Sequence, residues 1–93
     1  MGKISKIKKR DDRIVDHDIT KIEKAIYKAM EAVGDPNKKR AQRLAEKAEK
    51  EINKKFHERS IPAVEEIQDL VEEVLIQNKQ IQTAKSYILY RDQ

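Results

Sequence analysis

The spacing of apolar residues changes near residue 18, from partial alternation to the three- and four-residue steps of a helix. Before that point, residues 4–10 alternate in part between apolar and charged side chains, and residues 14–15 are β-branched. Residues 11–13, two aspartates and an arginine, lie between these runs as turn material. The pattern predicts a short β-hairpin over residues 1–17.

A first helix is predicted over residues 19–33, because the apolar residues of this segment share one helical face. They are Ile22, Ala25, Ile26, Ala29, Met30 and Val33. Asp18 is the candidate N-cap, and the pair Thr20 and Glu23 offers an alternative capping box. Gly34 is expected to end the helix.

A second helix is predicted to follow at once, with Asp35 as its N-cap and Pro36 at its first position, and to end near Arg59. Its narrower apolar stripe consists of Ala41, Leu44, Ala45, Ala48, Ile52 and Phe56. A third helix over residues 64–76 has paired acids opposite its apolar side. A short last helix carries Ile81, Ala84, Tyr87, Ile88 and Tyr90.

The predicted fold class is therefore α+β, a single domain over residues 1–93 with the hairpin (1–17) packed on a four-helix arrangement (18–93). Charged residues make up 41% and apolar residues 38% of the chain, which suits helices with solvated outer faces. The absence of cysteine excludes disulfides and thiolate chemistry, and the two histidines form no metal-ligand pattern. No apolar run approaches a membrane span or a signal peptide, so a cytoplasmic protein is expected.

The net positive charge is concentrated at the N-terminus. Residues 1–13 hold six Lys or Arg and two Asp, whereas the other 80 residues hold fifteen bases and fifteen acids. This placement predicts an anionic partner near the hairpin.

Lys9, Arg10 and Lys21 are the candidate ligands for an anion. Lys9 and Arg10 end the first strand, and Lys21 lies in the first turn of a helix, where unpaired backbone N–H groups favour an anion. Ile7 and Ile22 could flank a base. Strict alternation sends Lys9 and Arg10 to opposite faces, so both reach one ligand only if the turn bends the strand end. On these residues alone, a phosphate site and a solvated basic surface both stay open.

Other functions have less support in the residues. Nucleic-acid binding, or a purely structural interaction, would use the same basic hairpin, which has no aromatic residue for base stacking. The acidic pairs Glu65–Glu66 and Glu72–Glu73 lack histidine partners and fit a solvated helix face. His17 either caps the second strand or contacts a ligand. No nucleophile with a matching base is visible, so the chain is not expected to be an enzyme by itself.

Three blocks of sequence, in this order, resemble the ATP-cone family. They are IKKRDDRIVDHDITKI, VEEIQDLVEEVL and AKSYILYRD, at residues 7–22, 64–75 and 84–92. The ATP-cone is a regulatory nucleotide-binding domain at the N-terminus of many ribonucleotide reductase large chains, and is also attached to a zinc ribbon in a bacterial repressor of reductase genes. The resemblance implies a hairpin over four helices and an allosteric module, standing alone or part of a larger chain.

The resemblance also implies the ligand and its contacts. The effector would be ATP or dATP, with or without Mg²⁺, and the implied contacts are Ile7, Lys9, Arg10, Lys21, Ile22, Gln68 and Arg91. Lys9, Arg10 and Lys21 would contact the phosphates and ribose. Ile7 and Ile22 would contact the base. Gln68 and Arg91 occupy helix positions where some members place further contacts.

A ribonucleotide reductase or another regulated protein is the implied partner, with no membrane, and self-association stays open. Three residues depart from the family's usual pattern. Asp12 stands where glycine is usual, at a turn position that favours positive φ. His17 stands where an aromatic residue is usual, and Ala63 where a Ser or Thr cap is usual.

Overall fold

The computed structural model describes residues 3–91, which form a two-stranded antiparallel hairpin and four helices. In chain order the elements are β1 (Lys6–Lys8), β2 (Ile14–Asp16), α1 (Ile19–Ala32), α2 (Lys38–Lys55), α3 (Val64–Gln77) and α4 (Ile81–Arg91). The predicted α+β class, a hairpin on four helices, is confirmed. None of the helices in this part of the chain has the length and apolar character needed to cross a membrane.

The hairpin turn spans residues 9–13 and is closed by two backbone hydrogen bonds. The Lys9 N–H donates to the Arg13 carbonyl oxygen at 2.8 Å, and the Asp12 N–H donates to the Lys9 carbonyl oxygen at 2.9 Å. Asp12 has a φ of 68°, so the positive φ predicted there is confirmed. Since strand pairing stops at Lys8, Lys9 and Arg10 belong to the turn and do not follow strand alternation.

A parallel bridge between Lys8 and Ala63 joins the hairpin to the start of α3. The Lys8 N–H donates to the Pro62 carbonyl oxygen at 2.9 Å. Ala63 is the N-cap of α3 but has no side-chain acceptor, so only half of a capping box forms. In that half, the Ala63 N–H donates to Glu66 Oε1 at 3.1 Å. The segment before α3 therefore holds the turn end of the hairpin against this helix.

The helices pack in a ring, with α1 and α3 each lying against both α2 and α4. Their inward faces form one hydrophobic core, whose largest fully buried side chains are Ile26, Met30, Ile52, Val71 and Leu75. Burial of each such side chain stabilises the fold by roughly 1.5–3 kcal/mol. Ile22 belongs to this core, and Ile7 is half-buried against it.

The predicted N-cap of α2, Asp35, is wrong by two residues, because its backbone N–H closes the end of α1 instead. Asn37 caps α2, and its Oδ1 accepts the backbone N–H three residues later at 2.9 Å. Pro36 therefore precedes the helix. The helix also ends before the predicted Arg59, since Phe56 leaves the helical conformation with a ψ of 140°.

Only part of the apolar set predicted for α4 is buried. Ala84 and Tyr87 are buried as expected, but Thr83 and Ser86 are buried with them. The other predicted apolar residues are exposed by 36% or more, namely Ile81, Ile88 and Tyr90. Apolar residues lie on both sides of this short helix, so their spacing could not select the face. The small buried side chains allow close approach to α1 and α3.

Helices α1 and α3 end in the same backbone motif, with different residues at its left-handed position. Gly34 after α1 has a φ of 77°, and Lys79 after α3 has a φ of 63°. After α3, the Lys79 N–H donates to the Ile76 carbonyl oxygen at 3.0 Å, and the Gln80 N–H donates to the Leu75 carbonyl oxygen at 2.8 Å. The glycine fits at no steric cost, whereas the Cβ of Lys79 is crowded.

Replacement of Lys79 by glycine should raise the free energy of unfolding by about 1 kcal/mol, because it removes the crowding of the left-handed conformation. Urea denaturation followed by circular dichroism measures the change. Lys79→Ala is the matched control and should give no gain, since alanine keeps the Cβ. Equal stability of the two variants would contradict this account.

Candidate functional site

A cavity of about 320 Å³, which we call the turn cavity, lies where the hairpin turn meets α3 and α4. Its lining comes from all three elements and consists of Lys9, Arg10, Asp11, Arg13, Val64, Gln68 and Arg91. Cationic side chains dominate this lining, so the cavity suits an anion. Lys9 and Arg10 both reach it because they belong to the turn rather than to the strand. The structure thus brings four of the residues named from the sequence around one cavity.

Arg10 connects the turn to both helices. Its Nη2 donates to Gln68 Oε1 at 3.2 Å and to the Arg91 carbonyl oxygen at 2.9 Å. Gln68 Nε2 donates to the same carbonyl oxygen at 3.4 Å. Arg10 Nε also lies 3.4 Å from Glu65 Oε1. The position of the turn relative to α3 and α4 therefore depends on this guanidinium group.

Carboxylates of α3 pair with two of the three arginines that line the cavity, Arg10 and Arg91. Arg91 Nη1 donates to Asp69 Oδ1 at 2.7 Å and to Glu72 Oε2 at 3.1 Å. Glu65 pairs with Arg10, and its Oε1 is a buried atom with no hydrogen-bond partner in the described part of the chain. The α3 carboxylates thus supply, inside the domain, the negative charge that a bound anion would supply.

Lys9 differs from the other cations around the turn. Among residues 3–91, no carboxylate lies within ion-pair distance of its ammonium group. The other bases of the hairpin pair locally: Lys6 with Asp16, Lys8 with Asp12, and Arg13 with Asp11. Val64, the first residue of α3, lines the same cavity, so the N-terminal end of this helix lies beside Lys9. Lys9 and this helix end are the groups best placed to gain from an added anion.

A larger cavity, of about 830 Å³, lies between α1 and α4 and shares Gln68 and Arg91 with the turn cavity. Its other lining residues are Ala25, Lys28, Glu31, Ala32, Tyr87 and Tyr90. Burial raises the pKa of Tyr87 to about 12, so its hydroxyl stays neutral. Tyr90 is 53% exposed and can offer a ring to a ligand. The sequence analysis placed both tyrosines in the last helix but not among the site residues, although Tyr90 stands directly before Arg91.

Ile7, Lys21 and Ile22 lie outside the linings of both cavities. The two isoleucines pack in or against the core, and Lys21 is exposed at the start of α1. Asp18 is the N-cap there, as predicted, and its Oδ1 accepts the Thr20 N–H at 2.9 Å. The pKa of Asp18 is lowered mainly by its hydrogen bonds from Thr20, and further by the Lys21 charge.

His17 lies at the open end of the hairpin and contacts α2. Its Nε2 is 2.6 Å from Glu49 Oε1, and the two side chains are only 6% and 15% exposed. Asn53 Nδ2 donates to Glu49 Oε2 at 3.2 Å, and Asn53 Oδ1 accepts the Ile4 N–H at 2.9 Å. We call these four residues the hairpin clamp. Burial alone would raise the pKa of Glu49, but the hydrogen bonds from His17 and Asn53 bring it below its ordinary value.

The chain is thus a small α+β domain in which the hairpin turn, α3 and α4 surround a cation-rich cavity beside an aromatic groove. The family model of the ATP cone domain matches residues 5–93, and the chain belongs to this family of nucleotide-binding regulatory domains. It is also similar to the vitamin B12-dependent ribonucleoside-diphosphate reductase of Thermoplasma acidophilum. Identity is 44% over 94 residues, which cover 96% of this chain and 12% of that protein.

Acidification should destabilise the protein through Glu49. Because its pKa is lower in the folded than in the unfolded state, the ionised carboxylate stabilises the fold above the ordinary value of 4.5. That contribution is lost as pH falls through the folded-state pKa. Urea denaturation between about pH 6 and pH 3 measures the resulting fall in unfolding free energy.

Glu49→Gln should show a smaller fall over this range than the wild type, because it removes the titrating group. Glu46→Gln, on the exposed side of the same helix, is the matched control and should behave like the wild type. An equal fall in Glu49→Gln and the wild type would show that Glu49 is not the group responsible.

Proposed function

We propose that this domain binds ATP or dATP as an allosteric effector and does not turn it over. The observation that carries the proposal is the convergence of Lys9, Arg10 and Arg91 with the first turn of α3 around one cavity. Membership of the ATP-cone family and the similarity to a ribonucleoside-diphosphate reductase support a regulatory nucleotide. Because the chain corresponds to 12% of that relative, we place the regulated reaction in a larger reductase or a partner protein.

In this proposal the triphosphate of the effector lies in the turn cavity. Lys9 would gain its first ionic partner there, and Arg10 and Arg91 would exchange α3 carboxylates for phosphate oxygens. Each charge-assisted hydrogen bond contributes roughly 1.5–3 kcal/mol, and micromolar affinity corresponds to about 8 kcal/mol. Since ion pairs near solvent are worth only about 0–1 kcal/mol, the exchange costs little where the guanidinium is exposed, as in Arg10.

The base is placed in the groove between α1 and α4, against the ring of Tyr90. This groove adjoins the turn cavity, and stacking of a base on an aromatic ring is worth about 1–3 kcal/mol. The alternative from the sequence puts the base against Ile7 and Ile22, with Lys21 on the phosphates. That arrangement requires the hairpin to lift from the core, because both isoleucines pack against other core residues. The two placements differ in the role they give to Tyr90.

Magnesium is assigned to the nucleotide rather than to the protein. Within residues 3–91, no three His, Asp or Glu side chains are grouped so that they could hold a metal ion. Mg²⁺ bound to a triphosphate needs few protein ligands, because phosphate oxygens and water complete its octahedral shell. We therefore propose that any Mg²⁺ enters with the effector.

A nucleic-acid interface has less support than a nucleotide site. Polymer binding draws on cations displayed along a surface and free to meet successive phosphates. Most bases of the hairpin instead pair with carboxylates of the domain, as Lys6, Lys8, Arg10 and Arg13 do. The cations converge on a concave cavity that suits a small anion.

Lys9→Ala should weaken ATP binding about tenfold, because it removes one charge-assisted hydrogen bond to the phosphates. Isothermal titration calorimetry with ATP, dATP and GTP measures Kd and stoichiometry. Lys50→Ala removes an exposed lysine from α2 and should leave Kd unchanged. Wild-type affinity in Lys9→Ala would rule out phosphate binding in the turn cavity, and salt-dependent DNA binding lost in the same variant would favour the nucleic-acid alternative.

Tyr90→Ala should weaken ATP binding about tenfold and leave the binding of inorganic tripolyphosphate unchanged, because only the base contacts the ring. Tyr90→Phe keeps the stacking surface and is the matched control, with near wild-type affinity for both ligands. Unchanged ATP affinity in Tyr90→Ala would favour the placement of the base against the two isoleucines.

A further inference from the structure

We propose that Glu49 is a positioning residue for the nucleotide site, which fixes the open end of the hairpin as a pivot and thereby sets the position of Lys9 in the turn. This inference rests on the proposed function for its effect on affinity. Its structural part stands on the contacts of the hairpin clamp alone. Glu49 lies on α2, which contributes no residue to the lining of the turn cavity or of the α1–α4 groove.

The two ends of the hairpin are held in different ways. At the turn end, the Arg10 and Glu65 side chains that form the contact are 48% and 46% exposed. At the open end, His17 and Glu49 are 6% and 15% exposed. The contacts of Arg10 are the ones that phosphate oxygens would replace. A bound triphosphate would therefore replace the side-chain contacts of the turn with α3, and would leave the backbone bond from Lys8 to Pro62 and the buried contacts with α2 in place.

Glu49 and Asn53 together attach both chain segments at the open end to α2, and Asn53 Nδ2 also donates to the Glu49 carbonyl oxygen at 3.0 Å. Glu49 Oε1 contacts His17, directly after β2, and Glu49 Oε2 accepts from Asn53, which in turn accepts the Ile4 N–H ahead of β1. The His17 N–H also donates to the Ser5 carbonyl oxygen at 2.9 Å and closes the hairpin there. His17 can donate to Glu49 in two forms, the neutral tautomer with its proton on Nε2 and the doubly protonated imidazolium.

A small tilt of the hairpin about its open end produces a large displacement of Lys9 at the turn. Lys9 follows Ile4 by five steps along the chain. An extended chain rises about 3.3 Å per residue, so Lys9 lies about 17 Å from the clamp. A tilt of the hairpin by about 10° then moves Lys9 by about 3 Å, which is as long as a hydrogen bond itself. Together with the Lys8–Pro62 bond, the clamp therefore sets how closely the Lys9 ammonium group approaches a phosphate.

The affinity test combines two substitutions in a double-mutant cycle. Glu49→Ala should weaken ATP binding about tenfold, and Glu49→Gln, whose single side-chain oxygen keeps one of the two accepted hydrogen bonds, should weaken it less. In a Lys9→Ala background the effect of Glu49→Ala should largely disappear, because the clamp acts by placing Lys9. Glu46→Ala on the exposed face of α2 is the control. An equal loss with and without Lys9, or no loss at all, would overturn the proposal.

Amide hydrogen exchange tests the structural part without any ligand. In Glu49→Ala the N–H groups of His17 and Lys8 should exchange about tenfold faster, whereas those of Val71 and Leu75 in the α3 core should keep their wild-type rates. Unchanged exchange at the hairpin, or equal acceleration in the core, would contradict a local pivot. If the wild type binds no ATP, the proposed function fails, and this measurement still decides whether Glu49 holds the hairpin.

Discussion

The docking of the hairpin on the helix bundle is the constraint on which the site depends. Two strands of three residues each are too short to be stable alone, so their position comes from the surfaces beneath them. The Lys8 N–H reaches the Pro62 carbonyl oxygen at one end, and His17 reaches Glu49 at the other. These attachments present the turn to the N-terminus of α3, and the proposed anion site depends on both of them.

Charges within the domain offset the repulsion among the cations around the turn. The bases of the N-terminus are not left facing one another, because α3 carries five acids and no base and lies beside the turn. Its carboxylates neutralise Arg10 and Arg91. In the proposed function, binding is an exchange of one set of anions for another, and net affinity reflects the difference between them. A compact polyanion such as a triphosphate is favoured in that exchange because it can satisfy several cations at once.

Helical periodicity was sufficient to predict the class and order of the elements, since each of α1 to α3 has one clearly apolar face. The face of α4 was not predictable, because its apolar residues lie on both sides and its buried contacts include Thr83 and Ser86. The start of α2 was misplaced, since the motif that ends α1 uses Asp35. Charge indicated Lys9 and Arg10 as anion ligands. The partners of Arg10 are more than fifty residues away, so residue spacing alone gave no sign of that network.

The central claim, that a nucleoside triphosphate occupies the turn cavity, is tested most directly by an NMR titration of the ¹⁵N-labelled protein with ATP. The account predicts that the backbone amide signals of Lys9, Arg10, Val64, Gln68 and Arg91 shift together and saturate with one common Kd. The signal of Lys50, on the exposed face of α2, should stay in place. Absence of shifts around the turn, or shifts centred on α2, would contradict the account.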